Sequence, residues 1–416
     1  MKERRISRKK IIIFYASVAA LTLICAFRLY HSFANNMLVD FMLGYDCTGT
    51  GLRGDGFFNL EKLTTYDWKN QPFILPGTLL YCILFAYMPL YLAKLIFYLL
   101  SVVASIGCFI YLYKLSGKLK SINFRTPGLD AAVFFGAAFV FLNSSPLLQS
   151  LRHGQVSVWF LLFLLFYLGS GNVYLKSFLF GAATLFKYSM VTIFAPLLLV
   201  KRQYKVCILG FIFFVLACLW PVLLGYDVVS VYSEYFTALI NSIGKGFNTF
   251  SASGYNMLQF DFFCNKYINH AGKLVLGIFI LFIYWKERKN KELGDNLLLL
   301  VFSLTMLISY HRLYDNVPAM LLLTVKCYSF IAKKDWINSL ICGGFIGFYL
   351  IPLSIVYKIT DLIGSKMQFL SGIIHFSKYG QYQNILPILV LVQIALTVYA
   401  AYLYFKKEND WKLRLD

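Results

Sequence analysis

The chain has 416 residues, of which 59% are hydrophobic and 14% charged, against about 45–50% apolar and about 25% charged in soluble domains. That excess excludes a soluble fold, and the long unalternated apolar runs exclude a barrel, which leaves helices that satisfy their own backbone in lipid. The formal charge of +20 is broken into short clusters between apolar runs, the pattern of anchoring to an anionic cytoplasmic leaflet and not of one basic face for nucleic acid.

Lys2, Arg4, Arg5, Arg8, Lys9 and Lys10 precede the apolar run 11–30. This reads as an uncleaved first helix with its amino end inside, since the apolar core exceeds the about 7–15 residues of a cleaved signal. Residues 31–72 form the most acidic polar stretch, with Asp40, Asp46, Asp55, Glu61 and Asp67, and belong outside. Two crossings between Pro72 and Tyr113 would carry Lys114, Lys118, Lys120 and Arg125 outside, against the positive-inside rule. The segment from Pro72 to Pro89 is therefore expected to lie in the outer interface, broken by Pro76 and Pro89, with the second span at 91–113.

Further spans are expected at 128–143, 155–170, 205–224, 271–285, 295–310, 317–331, 337–357 and 384–405. The stretch from Val173 to Val200 is too short for two full crossings and has Lys187 in its middle, so it predicts two half-spanning helices around an enclosed break. The clusters Lys201, Arg202 and Lys205; Lys286, Arg288, Lys289 and Lys291; Lys333 and Lys334; and Lys406 and Lys407 then all fall inside. The expectation is one all-α polytopic membrane domain over 1–416, with about 12 transmembrane or half-spanning helices and both termini cytoplasmic. Its outer face would own 31–90, 144–154, 226–270, 358–383 and the turn at 310–316. No internal repeat stands out, and no soluble domain is expected at either end.

The nine cysteines contain no CxxC pair and no His–Cys metal spacing. Only Cys47 and Cys264 fall in expected outer loops, where a disulfide between them is open.

Several ionisable residues converge on the outer side. Asp40 stands at the membrane exit of the first helix, a half-wet place suited to accepting a proton from a sugar hydroxyl, or it is an idle loop charge. Arg152 and His153, followed by Gly154 and Gln155, cap the span at 155. Lys187 lies in an apolar run where an ionisable group is costly, so it either serves function or snorkels to the interface. The turn with His311, Arg312 and Asp315 offers a second cation and a carboxylate at an outer helix end, or it is a mere topological loop. Arg152, His153, Lys187, His311 and Arg312 together form a group able to clamp a phosphate by charge-assisted hydrogen bonds. A nucleotide-sugar donor is disfavoured, because this group faces away from the cytosol and no Gly-rich phosphate loop is present.

The order of Asp40, Phe41, Tyr45, Gly54, Phe58, Pro72, Pro76, Gly154 with Gln155, Leu185 with Lys187, Asn256, Ser309 to Asp315 and Pro318 resembles that of the membrane-embedded GT-C glycosyltransferases, in particular those using polyprenyl-phosphate mannose. It departs in having Pro72, Phe73 and then Pro76 where adjacent prolines are common, and Tyr188 where a proline often follows the lysine. The resemblance implies Asp40 as general base of an inverting transfer, with Asp46 and Asp55 in reserve. It implies Lys187, His311, Arg312, Arg152 and His153 at the donor phosphate, and Tyr45, Gln155, Asn256 and Asp315 at the substrates.

The expected reaction moves mannose or another hexose from a polyprenyl-phosphate carrier to a glycolipid or cell-surface glycan outside the cytoplasmic membrane. It needs no cofactor, leaves a divalent metal open, and involves membrane lipid but no nucleic acid. A transporter or flippase of a lipid-linked saccharide is the alternative, although such proteins usually show a repeated half. A structural subunit of a polysaccharide assembly would not depend on Asp40 at all.

Overall fold

The computed structural model describes residues 8–34, 38–59, 62–63, 74–124, 127–244, 260, 263, 265–309, 311–366, 369, 373, 377–379, 382–385, 388–407 and 409–414. Within them α1 (Arg8–Ala34) is a long peripheral helix, and α2 (Val39–Leu52) starts directly after Leu38, whose φ of 45° turns the chain back. A 3-10 segment (Pro76–Cys82) and the one-turn α3 (Ile83–Ala86) follow, and Pro89 then caps α4 (Leu90–Leu115). The proline-bounded stretch is too short to cross a bilayer core of about 30 Å. Pro72 and its neighbours through Phe73 lie outside the described residues.

The chain continues with α5 (Leu129–Leu142), bent by 47° into the nine-residue α6 (Ser145–His153), and then α7 (Ser157–Gly169). Beyond these stand α8 (Val173–Val200), α9 (Tyr204–Cys218), α10 (Val228–Gly244), α11 (Lys266–Glu287), α12 (Asp295–Ile308), α13 (Val317–Ala332), α14 (Trp336–Leu350), α15 (Leu353–Lys366) and α16 (Ile388–Lys406). Four short strands complete the set: β1 (Glu292–Gly294), β2 (Ser377–Tyr379), β3 (Tyr382–Ile385) and β4 (Lys412–Arg414), with β1 antiparallel to β4 and β2 to β3.

Six of the described helices are long and apolar enough to cross a membrane, or seven if α5 and α6 count as one bent span. Shorter apolar helices such as α7, α12 and α14 lie among them. The chain is an all-α polytopic membrane protein. Its centre is α12, buried from Asp295 to Leu307, beside α13, buried from Val317 to Lys326. A helix apolar on every side needs a partner on every side, and α8, α11, α13 and α16 surround α12.

Length and composition alone would make α8 one span of 28 residues, but its backbone leaves the helical region at Lys187 (φ −149°, ψ 68°). The ring of Tyr167 lies 6.1 Å from that of Phe180 and 6.5 Å from that of Phe194. A straight helix would hold residues 180 and 194 about 21 Å apart along its axis, so 173–186 and 188–200 fold back on each other. α9 then runs beside 173–186 in the same direction: Gly210 touches Ser177 and Gly181, and Gly77 sits between Leu185 and Cys218. This is the pair of half-length helices that the sequence called for around Lys187.

Some expectations shift. The helix expected over 337–357 stops at Leu350, because Pro352 has no N–H to continue it, and α15 begins anew at Leu353. Helices α6 and α10 occupy stretches read only as outer loops.

Candidate active site

The reversal at Lys187 frees backbone groups that a continuous helix would bond. Thr78 of the 3-10 segment donates its hydroxyl to the Leu185 carbonyl at 2.5 Å, and the Trp220 indole donates to the Pro76 carbonyl at 2.7 Å. The short proline-bounded segment thus serves as a wedge that satisfies the break. Aromatic packing ties it to the neighbouring elements. Phe186 stacks on Phe163, Tyr81 bridges Phe186 and Phe97, and Phe97 stacks on Phe41 with ring centroids 4.4 Å apart. The residue before Lys187 is joined in this way to the residue after Asp40.

Asp40 lies in the first turn of α2, where the exposed N–H groups of a helix favour a carboxylate. Gly154 brings the second partner to it. Its φ is 69°, and a Cβ there would stand 2.7 Å from the Phe41 Cβ, so only glycine lets the corner between α6 and α7 press against the start of α2. The next residue, Gln155, donates its amide N–H to Asp40 Oδ2. Its amide oxygen accepts from Lys187 Nζ at 3.2 Å. Only one orientation of the amide gives N–H to the carboxylate and oxygen to the ammonium, so the two charges fix it between them.

Lys187 also contacts Asp315 Oδ1 at 2.8 Å and stands 5.5 Å from the centre of the Tyr314 ring. Asp315 is the hub of the buried side. Ser157 donates to its Oδ1 at 2.9 Å, and His311 Nδ1 and the Arg312 backbone N–H approach its Oδ2 at 3.2 Å each. Burial alone would push the Asp315 carboxyl up, but Lys187 and His311 outweigh it and hold it well below the usual carboxylate range. His311 is fully buried, and among the described residues its Nε2 has no hydrogen-bond partner. An ammonium has three protons to donate, and two of those of Lys187 are engaged by Gln155 and Asp315.

His153 joins the edge of this group: its Nε2 bonds Gln149 Oε1 at 3.1 Å, its ring lies 5.8 Å from that of Tyr314, and its charged neighbours are Asp40, Arg152 and Arg312. Arg152 is exposed on α6, and Arg312 is half-buried. The Tyr45 hydroxyl donates to the Met88 carbonyl at 2.8 Å, which holds it to the proline-bounded segment and not to Gln155 or Lys187. Asp46 is buried in α2, and Asp55 pairs with Arg53 at 3.5 Å, so neither reserve carboxylate shares the Gln155 link. Asn256 and Cys264 lie outside the described residues, while Cys47 is fully buried. Ser157 was not foreseen: a serine opening an apolar run looks like any helix start. Among the described residues no three His, Cys, Asp or Glu side chains gather as a metal site requires.

The arrangement joins a carboxylate, an amide, an ammonium and a buried imidazole from four separated stretches. It can accept a proton at one end and stabilise a developing anion at the other. No curated protein matches the chain. Residues 76–309 match the model of Glycosyltransferase family 87. The match takes in Gln155, Ser157 and the break at Lys187, while Asp40 precedes it and His311 and Asp315 directly follow it. With more than half of its length in that match, the chain belongs to glycosyltransferase family 87, a family of GT-C-like membrane enzymes.

Proposed function

We propose that this glycosyltransferase moves a hexose, such as mannose, from a polyprenyl-phosphate carrier to a hydroxyl of a glycolipid or cell-surface glycan on the outer side of the cytoplasmic membrane. The observation that carries the reading is Gln155, which holds Asp40 and Lys187 in one hydrogen-bonded unit. Asp40 takes the proton from the acceptor hydroxyl as its oxygen attacks the anomeric carbon from the face opposite the phosphate. The new C–O bond forms with inversion, the bond to the phosphate oxygen breaks, and the electron pair leaves with polyprenyl phosphate. The third proton of Lys187 meets the charge that grows on that phosphate, with His311 and Arg312 beside it and Arg152 and His153 farther out.

Asp315 acts as a positioning residue, because its oxygens are taken by protein donors and its charge keeps Lys187 and His311 in place. Tyr45 and Asn256 would line the acceptor side. Both termini and the basic loops would lie in the cytoplasm, with 31–72 and 226–270 outside.

The deciding experiment incubates purified protein with a panel of polyprenyl-phosphate sugars and detergent-solubilised glycolipids. Release of polyprenyl phosphate with one donor and acceptor supports the reading. Movement of an intact lipid-linked sugar across a bilayer without cleavage would assign the chain to transport instead.

A further inference from the structure

The end of the bundle opposite Lys187 holds a cavity. Residues 188–200 carry the chain about 20 Å from the break to the turn before α9. There Lys201 is buried, bonded to Glu287 and donating to the carbonyls of Asn290 and Glu292 at 2.8 Å each. That single ammonium locks the turn between α8 and α9 to the loop between α11 and α12. Between the two loops lies a cavity of about 170 Å³, lined by Val200, Lys201, Arg202, Asn290 and the cations of Arg288, Lys289 and Lys291. Glu287 is engaged with Lys201, Asn290 and Tyr404, and among the described residues no acid lines the cavity beside Arg202, Arg288 and Lys289. Arg202 faces it from a left-handed backbone, with φ of 61°, a conformation that costs a non-glycine residue energy.

The surroundings say what kind of anion fits. The Arg288 guanidinium lies 4.3 Å from the centre of the Trp285 ring, and Trp285 is 60% exposed. Trp and Arg together mark the headgroup level of a membrane. Above them α11 exposes Leu274, Val275, Ile278, Leu281 and Phe282, a face that acyl chains would cover. We propose that this cavity binds the phosphate of an anionic phospholipid headgroup, with its chains lying along α11. The site is separate from the proposed transfer chemistry and does not depend on the identity of donor or acceptor. A basic pocket between helices, continuous with an apolar lipid-facing surface, suits a phosphate that arrives attached to a lipid.

Trp285 provides the readout. The full-length protein is reconstituted in phosphatidylcholine vesicles in which a minor fraction of lipid carries bromine, either as phosphatidylglycerol or as phosphatidylcholine. The Trp285 signal is the difference between wild type and Trp285→Phe. Brominated phosphatidylglycerol should occupy the site with about tenfold preference over brominated phosphatidylcholine. The triple variant Arg202→Gln, Lys289→Gln, Lys291→Gln should abolish the preference. A control removing three exposed charges at the same end, Lys120→Gln, Lys334→Gln and Lys407→Gln, should keep it. Equal quenching by the two lipids overturns the proposal, as does a preference that survives the pocket variant or falls equally in the control. Loss of the preference on adding inorganic phosphate reassigns the cavity to a soluble phosphate and overturns the lipid assignment.

Discussion

The two ends of the bundle each bury a lysine against a carboxylate, and the pairs are built differently. At the basic end Lys326 is 1% exposed, 2.8 Å from Asp295 and 3.6 Å from Asp410, and Asp410 also takes Lys333 at 2.7 Å. There Asp295 opens α12 and Asp410 lies in the tail that pairs β4 with β1; Lys326 and both carboxylates are closed off, while Lys333 reaches in from the exposed end of α13. At the other end Lys187 is 14% exposed, is the one non-helical residue of α8, shares Gln155 with Asp40, and has beside it an imidazole whose Nε2 has no partner among the described residues. A buried lysine held between two carboxylates is a structural clasp. A lysine at a break in its helix, with one proton uncommitted among the described residues, is the pattern of a site that awaits a ligand.

Breaking the hub should damage activity and folding together. Asp315→Asn removes the charge that Lys187 and His311 share, so turnover should fall by a factor of about 10² or more. Thermal unfolding should show a loss of about 3–5 kcal/mol, the cost of leaving a buried partner unpaired. Lys326→Met sharpens the contrast. It should destabilise the protein by a similar about 3–5 kcal/mol, yet protein that still folds should bind donor normally in a titration. A donor affinity lost along with stability in Lys326→Met would erase the distinction between clasp and site.

Lys187→Ala should weaken donor binding by about tenfold or more, in keeping with about 1.5–3 kcal/mol for a charge-assisted hydrogen bond. A donor Michaelis constant and turnover both left unchanged would make Lys187 a clasp like Lys326. Much of this contrast is absent from the sequence. Lys187 is visible there because a lysine in an apolar run is conspicuous, and the half-helices follow from counting residues between basic turns. The role of Asp315 as hub depends on Ser157, Lys187 and His311 meeting across stretches far apart in the chain. No spacing encodes that. Gln155 is named by the motif, but its task of joining Asp40 to Lys187 rests on Gly154 accepting a left-handed turn against Phe41. The apolar helices are legible for a simpler reason: lipid demands long apolar runs, and charge marks their ends.

The smallest effects are expected from pH. The Asp315 carboxyl is held below the usual range, so its contribution to stability is fully present above about pH 4. It should be lost only as pH falls through its lower folded value. The melting difference between wild type and Asp315→Asn should therefore stay level from pH 7 to about pH 4. At the basic end burial pushes the Lys118 ammonium down to about 8, despite Asp410 and Asp295 nearby. The unfolded chain then holds more protons than the folded one between about pH 8 and the ordinary lysine value of about 10.4, so stability should rise slightly with pH in that window. Lys118→Met should flatten the slope in a pH series of melting curves, and a slope unchanged by the substitution would contradict the account of that clasp.

The central claim is that Asp40 is the base joined to the phosphate-facing cation. It is tested most directly by turnover and donor binding in Asp40→Asn beside Asp46→Asn and Asp55→Asn. Asp40→Asn should lower turnover by about 10² to 10⁴ while the protein still folds and binds donor, and the other two should stay within a few-fold of wild type. An Asp40→Asn enzyme that keeps more than about half of the wild-type rate would contradict base catalysis by this residue.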